Sequence, residues 1–186
     1  MVMRLTPAAK AAMVQAYQCA ARDHAGEIRE EHLLEGVLAD PDGKRLLGGP
    51  SSIEDLVSGV CSDLGARRRK AGLTAAEEAA LATWQIDLEV VVQQIEDQLG
   101  AQALAPKAPR RPRRRGPVLS GEALRVLAGS ERLASAAGDR SLGIEHLALA
   151  LVSTPAPLAD SLAQSGVSEA GVRSALAMRH RAGGPR

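Results

Sequence analysis

Aromatic residues are nearly missing from this 186-residue chain: it has no Phe, one Trp (Trp84) and one Tyr (Tyr17). Strands draw on aromatic and β-branched side chains, so this scarcity, set beside 34 alanines, argues for helices. Cysteine is equally scarce. Cys19 and Cys61 cannot build a disulfide framework and read most simply as reduced core or surface thiols. No apolar run reaches 18 residues and 24% of the chain is charged, which excludes an apolar membrane-spanning helix. The opening Met-Val-Met-Arg-Leu-Thr-Pro lacks the apolar stretch of a secretory signal, so the expected location is the cytoplasm. One-sided charge is absent too. With 23 basic and 22 acidic residues, the net charge of +1 excludes a protein whose whole surface is a nucleic-acid footprint.

What is present is a series of helix signals. Thr6-Pro7 is a helix start, because Thr can accept from orphan backbone amides and Pro is tolerated at the first helical position. Ala9, Met13, Ala16, Tyr17 and Ala20 then share one face. A second apolar run, Leu33, Leu34, Val37 and Leu38, ends at the turn cluster Asp40-Pro41-Asp42-Gly43. Ser51 and Glu54 have capping-box spacing ahead of Ile53, Leu56, Val57, Val60 and Leu64, a helix expected to close around Gly65 and Arg67–Lys70. Thr74 and Glu77 repeat the spacing, and Asp87 caps a helix carrying Leu88, Val91, Val92, Ile95 and Leu99. Ser120 starts a further helix with Leu127, Leu133, Ala134 and Ala137. An apolar run from Leu147 to Val152 follows, and Val167, Val172 and Leu176 mark the last helix.

Residues 105–118 hold four prolines and six cations and cannot bury a core, so they are expected to be an exposed basic linker. On either side of it the chain repeats. Sliding the sequence by 114 aligns Leu5–Pro41 with Leu119–Pro155 without a gap, with seven identities in 37 positions, Glu31/Glu145, His32/His146 and Leu33/Leu147 among them. Thr6/Ser120, Met13/Leu127, Ile28/Leu142 and Val37/Leu151 keep their character, and Ile86-Asp87 parallels Val167-Ser168. This reading gives a first repeat over 1–104 with a helical insertion near 48–84, the linker at 105–118, a second repeat over 119–180 and a disordered tail at 181–186.

A Thr- or Ser-initiated helix followed by Glu-His-Leu opening a second helix, twice over, resembles the Clp repeat (Clp N-terminal) domain. That domain precedes the ATPase modules of ClpA- and ClpC-type unfoldases and also occurs in shorter proteins. The resemblance rests on Leu5–Leu47, Ile86–Gly100 and Leu119–Leu176. It implies an all-α, pseudo-twofold globule of about eight or more helices built from both repeats. Where the family commonly reads Gly-Thr-Glu-His, this chain has Arg29-Glu30-Glu31-His32 and Gly143-Ile144-Glu145-His146, and the aromatic that often precedes each first hydroxyl is Leu5 or Leu119. No ATPase module is expected before the chain ends at Arg186. Gly36 to Gly43-Lys44-Arg45 lacks the spacing and the Ser/Thr of a phosphate-binding loop.

By resemblance to ClpC-type domains, the positions that bind peptides or phosphoarginine-bearing proteins are Thr6, Glu31, Ser120 and Glu145. The chemistry is reasonable in itself. A hydroxyl at a helix N-terminus suits a phosphate, and a carboxylate suits the fork of a guanidinium. Caps and dipole partners would use the same residue types. Glu30 adds a charge that could repel phosphate, and Ile144 removes a hydroxyl. His32 and His146, with His24, His180 and the cysteines, show no metal-ligand spacing and read as local caps, so no metal or cofactor is expected. No nucleophile–base arrangement stands out, and no enzymatic activity is expected. The expected partners are a Clp unfoldase or its clients. Two alternatives are sequestration of Clp-targeting cyclic-peptide antibiotics, which a surface poor in aromatics disfavours, and non-specific nucleic-acid binding through the basic runs 67–70 and 110–115.

Overall fold

Each repeat begins with a hydroxyl that closes a helix end. The Thr6 hydroxyl accepts the Ala9 amide (3.2 Å) and the Ser120 hydroxyl accepts the Ala123 amide (3.1 Å). The computed structural model describes residues 4–48, 52–69, 75–99 and 116–182. In chain order the elements are β1 (Arg4–Leu5), α1 (Pro7–Arg22), β2 (Glu27–Ile28), α2 (Glu30–Ala39), α3 (Pro41–Leu47), α4 (Ile53–Arg69), α5 (Ala75–Thr83) and α6 (Leu88–Leu99). They continue with β3 (Val118–Leu119), α7 (Gly121–Ala136), β4 (Ser141–Leu142), α8 (Ile144–Ser153), α9 (Pro157–Gln164) and α10 (Glu169–Ala182). The helical expectation holds. The alignment by 114 places α1 on α7 and α2 on α8 end for end.

The first helix of each repeat ends in the same way. Ala25 N–H returns to Ala20 C=O and Asp139 N–H to Ala134 C=O, each loop passing through a left-handed residue. That residue is Gly138 in the second repeat and His24, with φ 52°, in the first. Only Gly takes this conformation without a Cβ penalty, so His24 carries local strain there.

Alanines let the helices close up. Ala9, Ala12, Ala16 and Ala20 line the buried face of α1 and meet Leu33, Leu34 and Val37 of α2. Gly36 is needed at that crossing, because a Cβ there would strike the Ala12 carbonyl oxygen. From the other repeat, Ala123, Val126, Leu147, Ala148 and Leu151 complete one continuous core.

Four two-residue strands, absent from the sequence-based expectation, fasten the repeats together. Each is exchanged. β1 pairs in parallel with β4 (Leu5 opposite Leu142), and β2 with β3 (Ile28 opposite Leu119). These are the same four positions that the repeat alignment equates, now joined crosswise.

The packing corrects the boundaries read from the sequence. The stretch taken as an insertion near 48–84 includes α4, which packs on α2 and α9 and buries Leu56, Val60 and Leu64. Its mate is α10, which packs on α8 and α3 and buries Val172. Helix α6, equated from the sequence with the last helix, contributes no buried side chain among the described residues, and neither does α5. An amphipathic stripe shows that a helix has a face to cover, not which neighbour covers it, and α6 carried the more regular stripe.

Smaller corrections follow. The α4 cap is Ser52, whose hydroxyl accepts the Asp55 amide at 3.1 Å, one residue later than expected. The linker ends earlier, since Val118 is already in β3, and Arg181 and Ala182 are helical rather than tail. Residues 100–115, with most of the basic linker, lie outside the described residues, as do Ser51, Thr74 and 183–186.

Candidate functional site

The strand exchange decides which candidate residues meet. Thr6 N–H donates to Leu142 C=O at 2.9 Å, so Thr6 stands at the strand leading into α8 and Glu145. Ser120 N–H donates to Ile28 C=O at 2.9 Å, beside the entry to α2 and Glu31. The start of each first helix is therefore paired with the strand that leads into the glutamate-bearing turn of the opposite repeat, so each candidate pair draws on both repeats.

The two half-sites are not equivalent. Thr6 is half-buried and the Glu145 side chain is 33% exposed. Ser120 is 5% and Glu31 8% exposed. Position 143 accounts for part of the difference. The Glu145 carboxylate folds over Gly143, into space that a Cβ would occupy. The matching residue in the first repeat is Arg29, whose Cβ fills that space. Glu30 and Ile144, the two departures from the family motif, are each 3% exposed, and Ile144 belongs to the core.

Both histidines act within these turns. His32 Nδ1 accepts Arg29 N–H at 2.9 Å, and His146 Nδ1 accepts Gly143 N–H at 3.0 Å. The opposite ring nitrogens lie 3.6 Å from Asp23 Oδ2 and 3.1 Å from Asp139 Oδ2. Asp23 is itself held by Arg22 at 2.9 Å, and Arg22 also reaches Glu35 at 3.1 Å. The hydrogen bond from Arg22 keeps the Asp23 carboxyl below the usual carboxylate range. The two rings thus cap helices, and among the described residues no group of three or more His, Cys, Asp or Glu could hold a metal ion. No described helix is long and apolar enough to cross a membrane.

The first basic run has a structural use that its sequence concealed. Arg67 is 7% exposed and binds Asp63 at 2.8 Å, with Asp160 of α9 at 3.8 Å. The Ser161 hydroxyl also donates to Asp63, joining α4 to α9. The second run, 110–115, lies outside the described residues.

The chain, two helical repeats that share one core and exchange short strands, has the Clp N-domain fold. The chain is similar to the N-terminal domain of the Caseinolytic protease associated chaperone ClpD from Arabidopsis thaliana, at 17% identity and a TM-score of 0.59, covering 96% of each chain. It is also similar to the Hsp104 N-terminal domain from Candida albicans, at 15% identity and a TM-score of 0.52, covering 95% of this chain and 91% of that one. No family model and no curated protein sequence matches the chain.

Proposed function

We propose that this chain is a non-catalytic protein-binding module of the cytoplasm, working beside a Clp unfoldase–protease as an adaptor or as an accessory factor that holds clients, including phosphoarginine-bearing proteins. One observation carries the reading. The exchanged strands pair the residue that starts α1, Thr6, with Leu142, on the strand that leads into the helix start carrying Glu145. Phosphoarginine needs both chemistries close together. Its phosphoryl group suits a hydroxyl and helix-start amides, and its guanidinium suits a carboxylate. The Thr6–Glu145 half-site is the more open of the two and is the principal binding position. The likeness in fold to the ClpD and Hsp104 N-terminal domains supports a place in a chaperone system.

Titration with a phosphoarginine-bearing peptide and its unphosphorylated twin tests the reading. Preference for the phosphorylated peptide, abolished by Glu31→Ala with Glu145→Ala, is expected. No preference, or a preference that survives the double substitution, sinks the phosphoarginine assignment.

A further inference from the structure

We propose that His32 and His146 are positioning residues for the two candidate carboxylates, each locking its helix start as a neutral ring with the proton on Nε2. The inference rests on the reading that Glu31 and Glu145 bind ligand, and it adds the groups that hold them.

The tautomer follows from the hydrogen bonds. In each ring Nδ1 accepts a backbone N–H, from Arg29 at 2.9 Å and from Gly143 at 3.0 Å. A nitrogen that accepts such a bond carries no proton, so a neutral ring must carry it on Nε2. That nitrogen faces Asp23 in one repeat and Asp139 in the other, at 3.6 and 3.1 Å. The rings are 4% and 6% exposed, so water has little access to replace either bond.

The consequence concerns the glutamates. Each ring bonds the residue three places back, closing the loops 29–32 and 143–146, and the glutamate stands inside that loop just before the histidine. A capping box ordinarily uses Glu or Gln at this third position to bond the N-cap amide. Histidine supplies the same acceptor without adding a negative charge beside the binding carboxylate. Its second nitrogen also faces an aspartate at the end of the preceding helix. Loss of the Nδ1 bond releases the turn that aims the carboxylate.

The test uses the full chain. Nitrogen-15 spectra at neutral pH are expected to show a bare Nδ1 and a protonated Nε2 for both rings. A proton on Nδ1 in both overturns the proposal. Amide exchange at Gly143 is expected to quicken about tenfold in His146→Ala and to stay near the parent rate in His146→Gln, which restores the acceptor. Equal rates in the two variants overturn it. Affinity for a phosphoarginine peptide is expected to fall about tenfold in the Ala variant and to recover in the Gln variant, at unchanged helical content. Unchanged affinity in the Ala variant overturns the positioning role. If the parent chain binds no such peptide, the ligand reading fails, while the ring spectra and amide exchange still decide what the histidines do.

Discussion

The amide of Thr6 is bonded to the carbonyl of Leu142 at 2.9 Å, and Ser120 makes the matching bond to Ile28 at the same distance. Each repeat thus enters its first helix while paired with the other repeat, at the strand that leads into the other's second helix.

The two half-sites should separate in mutagenesis. Thr6→Ala or Glu145→Ala acts at the open half-site and is expected to weaken phosphoarginine-peptide binding by about tenfold, the loss of a charge-assisted bond. Ser120→Ala removes a buried cap and is expected to cost about 1 kcal/mol of stability with little change in affinity. Calorimetric titration paired with thermal melts reads both. Equal loss of affinity from Ser120→Ala would refute the asymmetry.

Acid should loosen the α4–α9 joint. Burial pushes the Asp63 carboxyl up, but the Ser161 hydroxyl and the Arg67 guanidinium together outweigh it and leave the group below its ordinary value of 3.8. A carboxylate depressed in the folded state stabilises fully above its unfolded pKa, and the contribution disappears as pH falls through the folded value. Asp63→Asn is therefore expected to lower the melting temperature at neutral pH, and to flatten its decline between about pH 5 and about pH 2. A variant that keeps the parent's acid slope would remove Asp63 from this role.

Two helical glycines predict opposite outcomes. Gly36→Ala drives a Cβ into the Ala12 carbonyl at the α1–α2 crossing, and about 1–3 kcal/mol of destabilisation is expected. Gly59→Ala meets nothing within 4 Å and should stabilise α4 by about 0.5–1 kcal/mol. Denaturant unfolding of both variants checks the pair.

The thiols should differ in reactivity. Burial, with Glu35 adding to it, pushes the Cys19 thiol up to about 11, so almost no thiolate exists at neutral pH. Native alkylation is expected to leave Cys19 unmodified while the half-buried Cys61 reacts first, and mass spectrometry of peptides from timed quenches distinguishes them. Faster labelling at Cys19 would contradict its burial.

The helix caps were legible in the sequence because their parts are local. A cap depends on residues within three or four positions, so Thr6, Ser120 and Asp87 could be read directly, and their hydroxyl or carboxylate oxygens do accept the expected amides. The paired Glu-His-Leu motifs showed two equivalent helix starts, each now seen with its histidine ring bonded back to the N-cap amide. Two-residue strands have no length over which a period of two could show, so β1 to β4 left no mark in the sequence.

The scarcity of aromatics and the abundance of alanine by themselves determined a helical chain, and the repeat determined that its halves are alike. Only the tertiary structure decided that the halves trade strands, that α4 rather than α6 is the counterpart of α10 in the first repeat, and that Glu145 is partly exposed while Glu31 is buried. The reason is physical. Caps and stripes are written within one turn of helix, whereas the choice of neighbour depends on which apolar faces and strand edges complement each other across more than a hundred residues.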